Sequence, residues 1–323
     1  MSNVARSGTR RIVYTSLPET RIDIERELAG IAGIELVNAD ENRLVREIGN
    51  ADAVMFPIFS FDKALGDAIR NATPRLNWLQ LLTAGYDKLI GYDVPPGLTV
   101  SSAGDSLAPA VADHAVTLLL ALRRRLRQTL ENQRGGVWTR DLGRMPAGMS
   151  GATVLIFGFG GIGQAVAQRV KAFGTHVIAV NRSGRPAPFA DEIVPASGFD
   201  DALGRADAVI VACDLNDETR NAIDARRLSL MKPGALLVNI ARGGVVVTDA
   251  VVAALKEGRL GGAGLDVTEP EPLPAQHALW NAPNVIVTPH IAGSGSSAGI
   301  AAFVRGNVER WLAGQPVQSI VKF

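Results

Sequence analysis

Thr153-Val154-Leu155-Ile156-Phe157-Gly158-Phe159-Gly160-Gly161-Ile162-Gly163 is the stretch that decides the fold. Its first five residues read as a buried strand and its glycines as a tight turn. The pattern from 164 to 172 reads as the helix that the turn opens. In that setting the glycines serve separate purposes. Gly158 permits the turn, Gly160 lets the backbone come close to a pyrophosphate, and Gly163 lets helix and strand pack closely. The unpaired amides and partial positive charge at the helix N-terminus then suit an anion. A glycine turn without these flanking elements would mean little; with them it predicts a dinucleotide-binding α/β domain.

Toward the C-terminus the alternation continues through 177–180, 208–211, 235–238, 262–267 and 285–287. With the first strand these make six, which suits a doubly wound parallel sheet. Toward the N-terminus, β-branched or apolar runs at 12–14, 34–37, 53–56 and 78–82 alternate with helical patterns at 22–28, 44–48 and 61–69. They predict a second parallel α/β unit. Pro95-Pro96-Gly97 and Ser101-Ser102-Ala103-Gly104 punctuate the chain before a long apolar helix at 108–122. The final helix, 300–312, and the segment 317–320 are too short to form a domain and are expected to cross back onto the N-terminal unit.

Composition narrows the function. Lys and Arg number 33 against 32 Asp and Glu, and the net charge of +1 provides no field for collecting nucleic acid or an anionic membrane. The expected partner is a small molecule. The one cysteine, Cys213, has no intramolecular partner, no spacing resembles a metal site, and no apolar export segment follows the basic N-terminus, so a cytoplasmic location is expected. The helix at 108–122 contains Asp113 and His114 and falls short of the ~20 apolar residues that span a bilayer, which reads as a buried helix. The run Arg123-Arg124-Arg125 reads as a solvated or interfacial helix end.

About twenty residues beyond the glycine loop, a cofactor lacking a 2'-phosphate would normally meet an Asp or Glu that binds its ribose. The second strand ends instead in Asn181-Arg182-Ser183. That removes a repelling anion and supplies a guanidinium and a hydroxyl for a phosphate, so NADP(H) is favoured and NAD(H) remains possible.

The candidate chemistry lies at the carboxyl ends of three strands, the edge where such sheets bind ligands. His290 follows 285–287 through Thr288-Pro289, Arg242 follows 235–238 in Asn239-Ile240-Ala241-Arg242-Gly243-Gly244, and Glu271 lies in the loop after 262–267. Reducing a carbonyl beside a carboxylate needs a cation for the carboxylate, a proton donor for the nascent alkoxide, and a group that keeps the donor protonated. Arg242, His290 and Glu271 supply these, although spacing alone also permits ordinary surface pairs for Arg242 and Glu271. His114, inside the apolar helix, and His176, opening a strand, read as structural or surface groups. His277 lies in a Pro-rich loop.

These segments resemble the D-isomer-specific 2-hydroxyacid dehydrogenases, and most of all their glyoxylate and hydroxypyruvate reductase branch. The resemblance covers nearly the whole chain. It is carried by Leu81-Leu82-Thr83-Ala84-Gly85-Tyr86-Asp87, Ala110-Val111-Ala112-Asp113-His114, residues 158–163 and 239–244, Gly264-Leu265-Asp266-Val267 and Pro289-His290-Ile291. It implies a flavodoxin-like substrate domain, 1–104 and 292–323, into which a Rossmann domain, 105–291, is inserted. In that scheme Arg242 binds the 2-oxo acid carboxylate and polarises its carbonyl, His290 exchanges the proton, and Glu271 orients His290 and favours its charged form. Backbone amides of Ala84 and Gly85 would cradle the carboxylate, and Asp266 would meet the nicotinamide carboxamide. The implied cofactor contacts comprise Gly158, Gly160, Gly161, Ile162, Gly163, Asn181, Arg182, Ser183, Cys213, Ile240, Asp266, His290 and Gly293, with no metal. Dimerisation would run through 108–127.

Some positions depart from the family pattern. Asn181 replaces the acid common in NAD-using members, Asp113 stands for a frequent Glu, and Val247 stands for a usual acid. The formate dehydrogenase branch has Gln at Glu271, so that chemistry is disfavoured. Two other readings compete: a nucleotide-sensing corepressor or scaffold of the same fold, and a dehydrogenase for another oxyacid such as phosphite. Short-chain reductases are poor fits, since Tyr86 is followed by Ile90 where they need a lysine. Residues 56–61, Tyr86 and Trp138 are expected to set substrate choice.

Overall fold

The computed structural model describes residues 8–144, 148–182 and 184–322. The chain forms two compact units, Met1–Leu107 with Gly295–Phe323, and Ala108–Ser294.

The first unit is a parallel sheet of five strands: β1 (Arg10–Tyr14), β2 (Ile34–Asn38), β3 (Ala53–Phe56), β4 (Trp78–Leu81) and β5 (Thr99–Ser101). Their order is β2-β1-β3-β4-β5, the flavodoxin-like arrangement that the family resemblance implied, where the alternating pattern alone predicted a parallel α/β unit. Successive strand residues face opposite sides, so the apolar runs feed two cores. Ile12, Tyr14, Met55 and Trp78 pack against helices α1 (Pro18–Leu28) and α10 (Ser297–Leu312). Val13, Val54, Phe56 and Leu79 pack against α2 (Glu41–Glu47) and α3 (Lys63–Ala72).

Gln80 is the exception, a fully buried amide. Its Oε1 accepts from Asn307 Nδ2 at 2.8 Å, while its Nε2 donates to the Leu81 and Ser102 carbonyls. Asn307 Oδ1 in turn accepts the Gln318 amide at 2.7 Å, so the C-terminal tail is tied to the sheet through a satisfied buried network. Val321 N–H also donates to the Val100 carbonyl, covering the edge of β5. The tail crosses back as expected.

The second unit has seven parallel strands: β6 (Thr153–Phe157), β7 (His176–Asn181), β8 (Glu192–Pro195), β9 (Ala208–Val211), β10 (Ala235–Asn239), β11 (Leu260–Leu265) and β12 (Val285–Val287). Their order, β12-β11-β10-β9-β6-β7-β8, is doubly wound with its reversal at β6 and β9. The sequence reading counts six. It misses β8, an edge strand of four residues that opens on Glu192 and ends on Pro195 and so shows no apolar alternation.

Helices α7 (Phe199–Leu203), α8 (Ala225–Leu230) and α9 (Thr248–Lys256) cover one face, and α4 (Ala108–Arg123) and α6 (Gly161–Lys171) the other. The helix α5 (Leu126–Arg134) follows α4. With the turn before it, α4 gives a 20-residue helical stretch, Gly104–Arg123, of mean hydropathy 1.3, which by length and composition is enough to cross a membrane. That is longer than the sequence pattern implied. Its buried residues, among them Val111, Ala115, Leu118, Leu119 and Leu122, face a sheet, as in a core helix. Strand β11 reads Leu-Gly-Gly-Ala-Gly-Leu, and a Cβ added at Gly264 would lie 3.0 Å from Leu118 Cβ. Gly264 lets α4 lie directly on the sheet.

Candidate active site

The glycine loop has the geometry its sequence implied. Gly158 has φ +95°, where an L side chain is strained, and any Cβ there would run into the backbone of Cys213. A Cβ at Gly163 would strike the Gly158 carbonyl, so close helix–strand packing requires that glycine too. At Gly160, the residue before α6, nothing lies within 4 Å of an added Cβ, and no side chain caps the helix. Backbone and uncapped amides there face open space, which fits the approach of a phosphate group.

Cys213 directly follows β9, and burial together with Asp214 pushes its thiol up to about 12. It is a neutral wall of the loop rather than a nucleophile. Ile240 is buried immediately after β10, and Gly293 is half-buried.

At the end of β7, Asn181 closes a turn: its Oδ1 accepts from Gly184 N–H at 2.6 Å and its Nδ2 donates to the Arg185 carbonyl. The Arg182 side chain is exposed and makes no hydrogen bond or ion pair among the described residues. Ser183 lies outside the described residues. The nearby acids belong to the opposite edge of the sheet. Asp191 accepts from the Val177 amide at the start of β7, and Glu192 is in register with Ile178.

Arg242, Glu271 and His290 come off three neighbouring strands, because Asn239 of β10 is in register with Leu265 of β11, and Leu265 with Val287 of β12. The loops also touch. A Cβ at Gly243 would collide with the Thr268 carbonyl, so the backbone beside Arg242 packs on the loop that carries Glu271. That loop is further held by Arg220 Nη1, which pairs with Glu269 at 3.2 Å. Arg242 is half-buried and its Nη1 donates to the Ala241 carbonyl at 2.8 Å.

His290 and Glu271 form a direct pair, Nδ1 to Oε1 at 2.7 Å, with their side chains 45% and 42% exposed. A carboxylate only accepts, so Nδ1 carries the proton of this bond and Nε2 is the end left to face a ligand. The backbone at His290 is left-handed, φ +55°, a conformation that costs a non-glycine residue about 1–2 kcal/mol.

Asp266 holds that corner. Its side chain is 1% exposed; Oδ1 accepts from Thr288 Oγ1 at 2.7 Å and Ile291 N–H at 2.9 Å, and Oδ2 from Ala292 N–H at 2.9 Å. Its carbonyl accepts the His290 amide at 2.8 Å. Hydrogen bonds to a charged group contribute about 1.5–3 kcal/mol each, enough to outweigh the strain. The resemblance puts Asp266 at the nicotinamide carboxamide, and the same side chain also bonds Thr288, Ile291 and Ala292. Sequence reasoning also passed over Thr288 and His114, whose Nε2 lies 2.9 Å from Thr288 Oγ1. Residues 174 positions apart carry no local signal of such a contact.

In the first unit, Ala84 and Gly85 follow β4. Thr83 Oγ1 accepts from Ile58 N–H at 3.3 Å and donates to the Gly85 carbonyl at 3.1 Å, which fixes that turn against the segment after β3.

Comparison with known proteins identifies this architecture. Residues 116–292 match the NAD binding domain of the D-isomer specific 2-hydroxyacid dehydrogenases. The glyoxylate reductase of Thermococcus gammatolerans is 36% identical over 323 residues, covering 96% of this chain and 94% of that one. Among solved structures, a D-isomer specific 2-hydroxyacid dehydrogenase family protein from Aeromonas salmonicida superposes with a TM-score of 0.86 at 29% identity, covering 98% and 99% of the two chains. The NADPH-dependent glyoxylate/hydroxypyruvate reductase of Sinorhizobium meliloti, solved with NADP and sulfate, gives 0.83 at 26% identity, covering 97% and 98%. The chain belongs to the D-isomer specific 2-hydroxyacid dehydrogenase family, and it is an oxidoreductase.

The different surroundings of the glycines separate folding from binding. Gly160→Ala should leave thermal stability within about 2 °C of wild type yet weaken dinucleotide binding at least about tenfold, since its methyl enters the space a phosphate needs. Gly158→Ala should destabilise the protein itself. Thermal melts and cofactor titration of both variants check this, and unchanged affinity in Gly160→Ala would remove the phosphate from this loop.

Proposed function

We infer that the protein reduces a small 2-oxo acid with NADPH, glyoxylate to glycolate or hydroxypyruvate to D-glycerate. The single observation that carries this reading is the His290–Glu271 pair, held at 2.7 Å on the same sheet edge as Arg242. When bound, the reduced nicotinamide supplies a hydride, two electrons and a proton, to C2 of the oxo acid. Arg242 binds the substrate carboxylate through its planar fork and draws electron density from the adjacent carbonyl. His290 donates its Nε2 proton to the carbonyl oxygen as the C–O double bond becomes a hydroxyl. Glu271 keeps Nδ1 protonated throughout, so the ring always presents Nε2 to the reaction. The family resemblance also assigns backbone amides of Ala84 and Gly85 to the substrate carboxylate. In the reverse direction His290 accepts the hydroxyl proton.

The preference for NADPH rests on Arg182, exposed at the end of β7, where the sequence has Asn181 in place of an acid. The solved NADP complex of the Sinorhizobium relative is in keeping with it. An assembly of two chains is also part of this reading. No residue of α5 is buried, and Leu126, Leu130, Val137 and Trp138 are 45%, 44%, 56% and 93% exposed, an apolar strip suited to a second copy of the chain.

His290→Ala should lower kcat by ~10²- to 10⁴-fold with cofactor affinity retained, as read by steady-state kinetics and fluorescence titration. Full turnover in that variant would end its role as proton donor. Assayed over a panel of 2-oxo acids, wild type should show a higher kcat/KM with NADPH than with NADH. Arg182→Ala should narrow that ratio by about tenfold, the scale of one lost charged hydrogen bond; an unaltered ratio removes the phosphate contact. Light scattering should give twice the chain mass for wild type and the chain mass for Leu126→Glu with Leu130→Glu. A monomeric wild type contradicts the assembly.

A further inference from the structure

The corner that carries His290 is held from outside the catalytic trio, and the outermost member of that support is another histidine. Thr288 Oγ1 has one proton, and the 2.7 Å contact to Asp266 Oδ1 uses it, because a carboxylate can only accept. In its 2.9 Å contact with His114 Nε2 the hydroxyl must therefore be the acceptor, and His114 Nε2 must carry a hydrogen. The same nitrogen lies 3.3 Å from Asp266 Oδ1, where a bare lone pair would face an anion. His114 thus has a fixed role as donor.

We propose that His114 is a positioning residue for His290, acting through Thr288 and Asp266; this rests on the reading of His290 as proton donor. By donating to the Thr288 oxygen, His114 sets the hydroxyl rotor so that its proton points at Asp266. Asp266 in turn holds the amides of Ile291 and Ala292 on one side of the corner and, through its carbonyl, the amide of His290. The left-handed backbone at His290 has no glycine to relax it and depends on this set of bonds. The chain of contacts starts on α4, which is covered by the sheet along its buried face, so the support comes from the rigid core and not from a loop. His114 is 19% exposed and bonds Thr288, which is not a member of the trio. Its effect is on where Nε2 of His290 points.

The test uses the whole protein and two pairs of variants. His114→Leu removes the donor, and His114→Gln restores one at a similar reach; Thr288→Val and Thr288→Ser repeat the contrast at the middle of the chain, in case a variant at 114 does not fold. The expected result is an approximately tenfold lower kcat in His114→Leu and Thr288→Val, the scale of a loosened reacting geometry, with cofactor Kd unchanged. Amide hydrogen exchange at Ile291 and Ala292 should quicken in the same two variants. His114→Gln and Thr288→Ser should return kcat to within about threefold of wild type. Equal losses in His114→Leu and His114→Gln would show that the ring only fills space, and wild-type kcat and exchange in His114→Leu would overturn the proposal outright. Should wild type turn over no 2-oxo acid, the dehydrogenase reading fails while the exchange contrast still decides whether His114 supports the corner.

Discussion

A carboxylate withdrawn from water organises this molecule's chemistry. Asp266 directly follows the buried strand β11, and its two oxygens accept from a hydroxyl and two backbone amides that flank His290. A buried anion is tolerated only when its hydrogen-bond capacity is used, and here using it bends the chain into a left-handed corner. The imidazole proposed as proton donor is therefore placed by backbone and aimed by one further bond, that to Glu271. Little freedom is left to the side chain, and preorganisation of that kind is what proton transfer requires.

The sheet supplies the remaining positions. Parallel strands end together at one edge, and register holds Asn239, Leu265 and Val287 side by side, so three short loops rising from them cannot diverge far. The loop glycines serve contrasting purposes along the same edge. Gly158, Gly163 and Gly243 are glycine because neighbouring backbone occupies the space, whereas Gly160 is glycine beside an empty space. That contrast distinguishes a structural requirement from one imposed by a ligand.

Most of this was legible in the residues. Runs such as Val154 to Phe157 and Ala208 to Val211 are apolar throughout because both faces of a parallel strand are covered, and punctuation by glycine placed the loops that follow. The rim residues could be found because strand ends are readable and ligands meet such sheets at one edge. Three things were not. Strand β8 has four residues, two of them Glu192 and Pro195, and is made a strand by its neighbour β7 rather than by its own pattern. The length of the helical stretch ending at Arg123 depends on a turn before Ala108 that composition does not announce. The link from His114 to Thr288 joins distant parts of the chain, and a lone histidine on an apolar helix gives no sign of it.

One glycine of β11, Gly264, has an effect beyond its own strand. Leu118 and His114 are one turn apart on α4, so the distance between that helix and the sheet, set at Gly264 by the absence of a side chain, is also the distance His114 must bridge to reach Thr288. Strand β11 works as a spacer of fixed thickness beneath the helix. A single methyl group inserted there would be transmitted as a displacement to the corner at His290 without altering any residue of that corner.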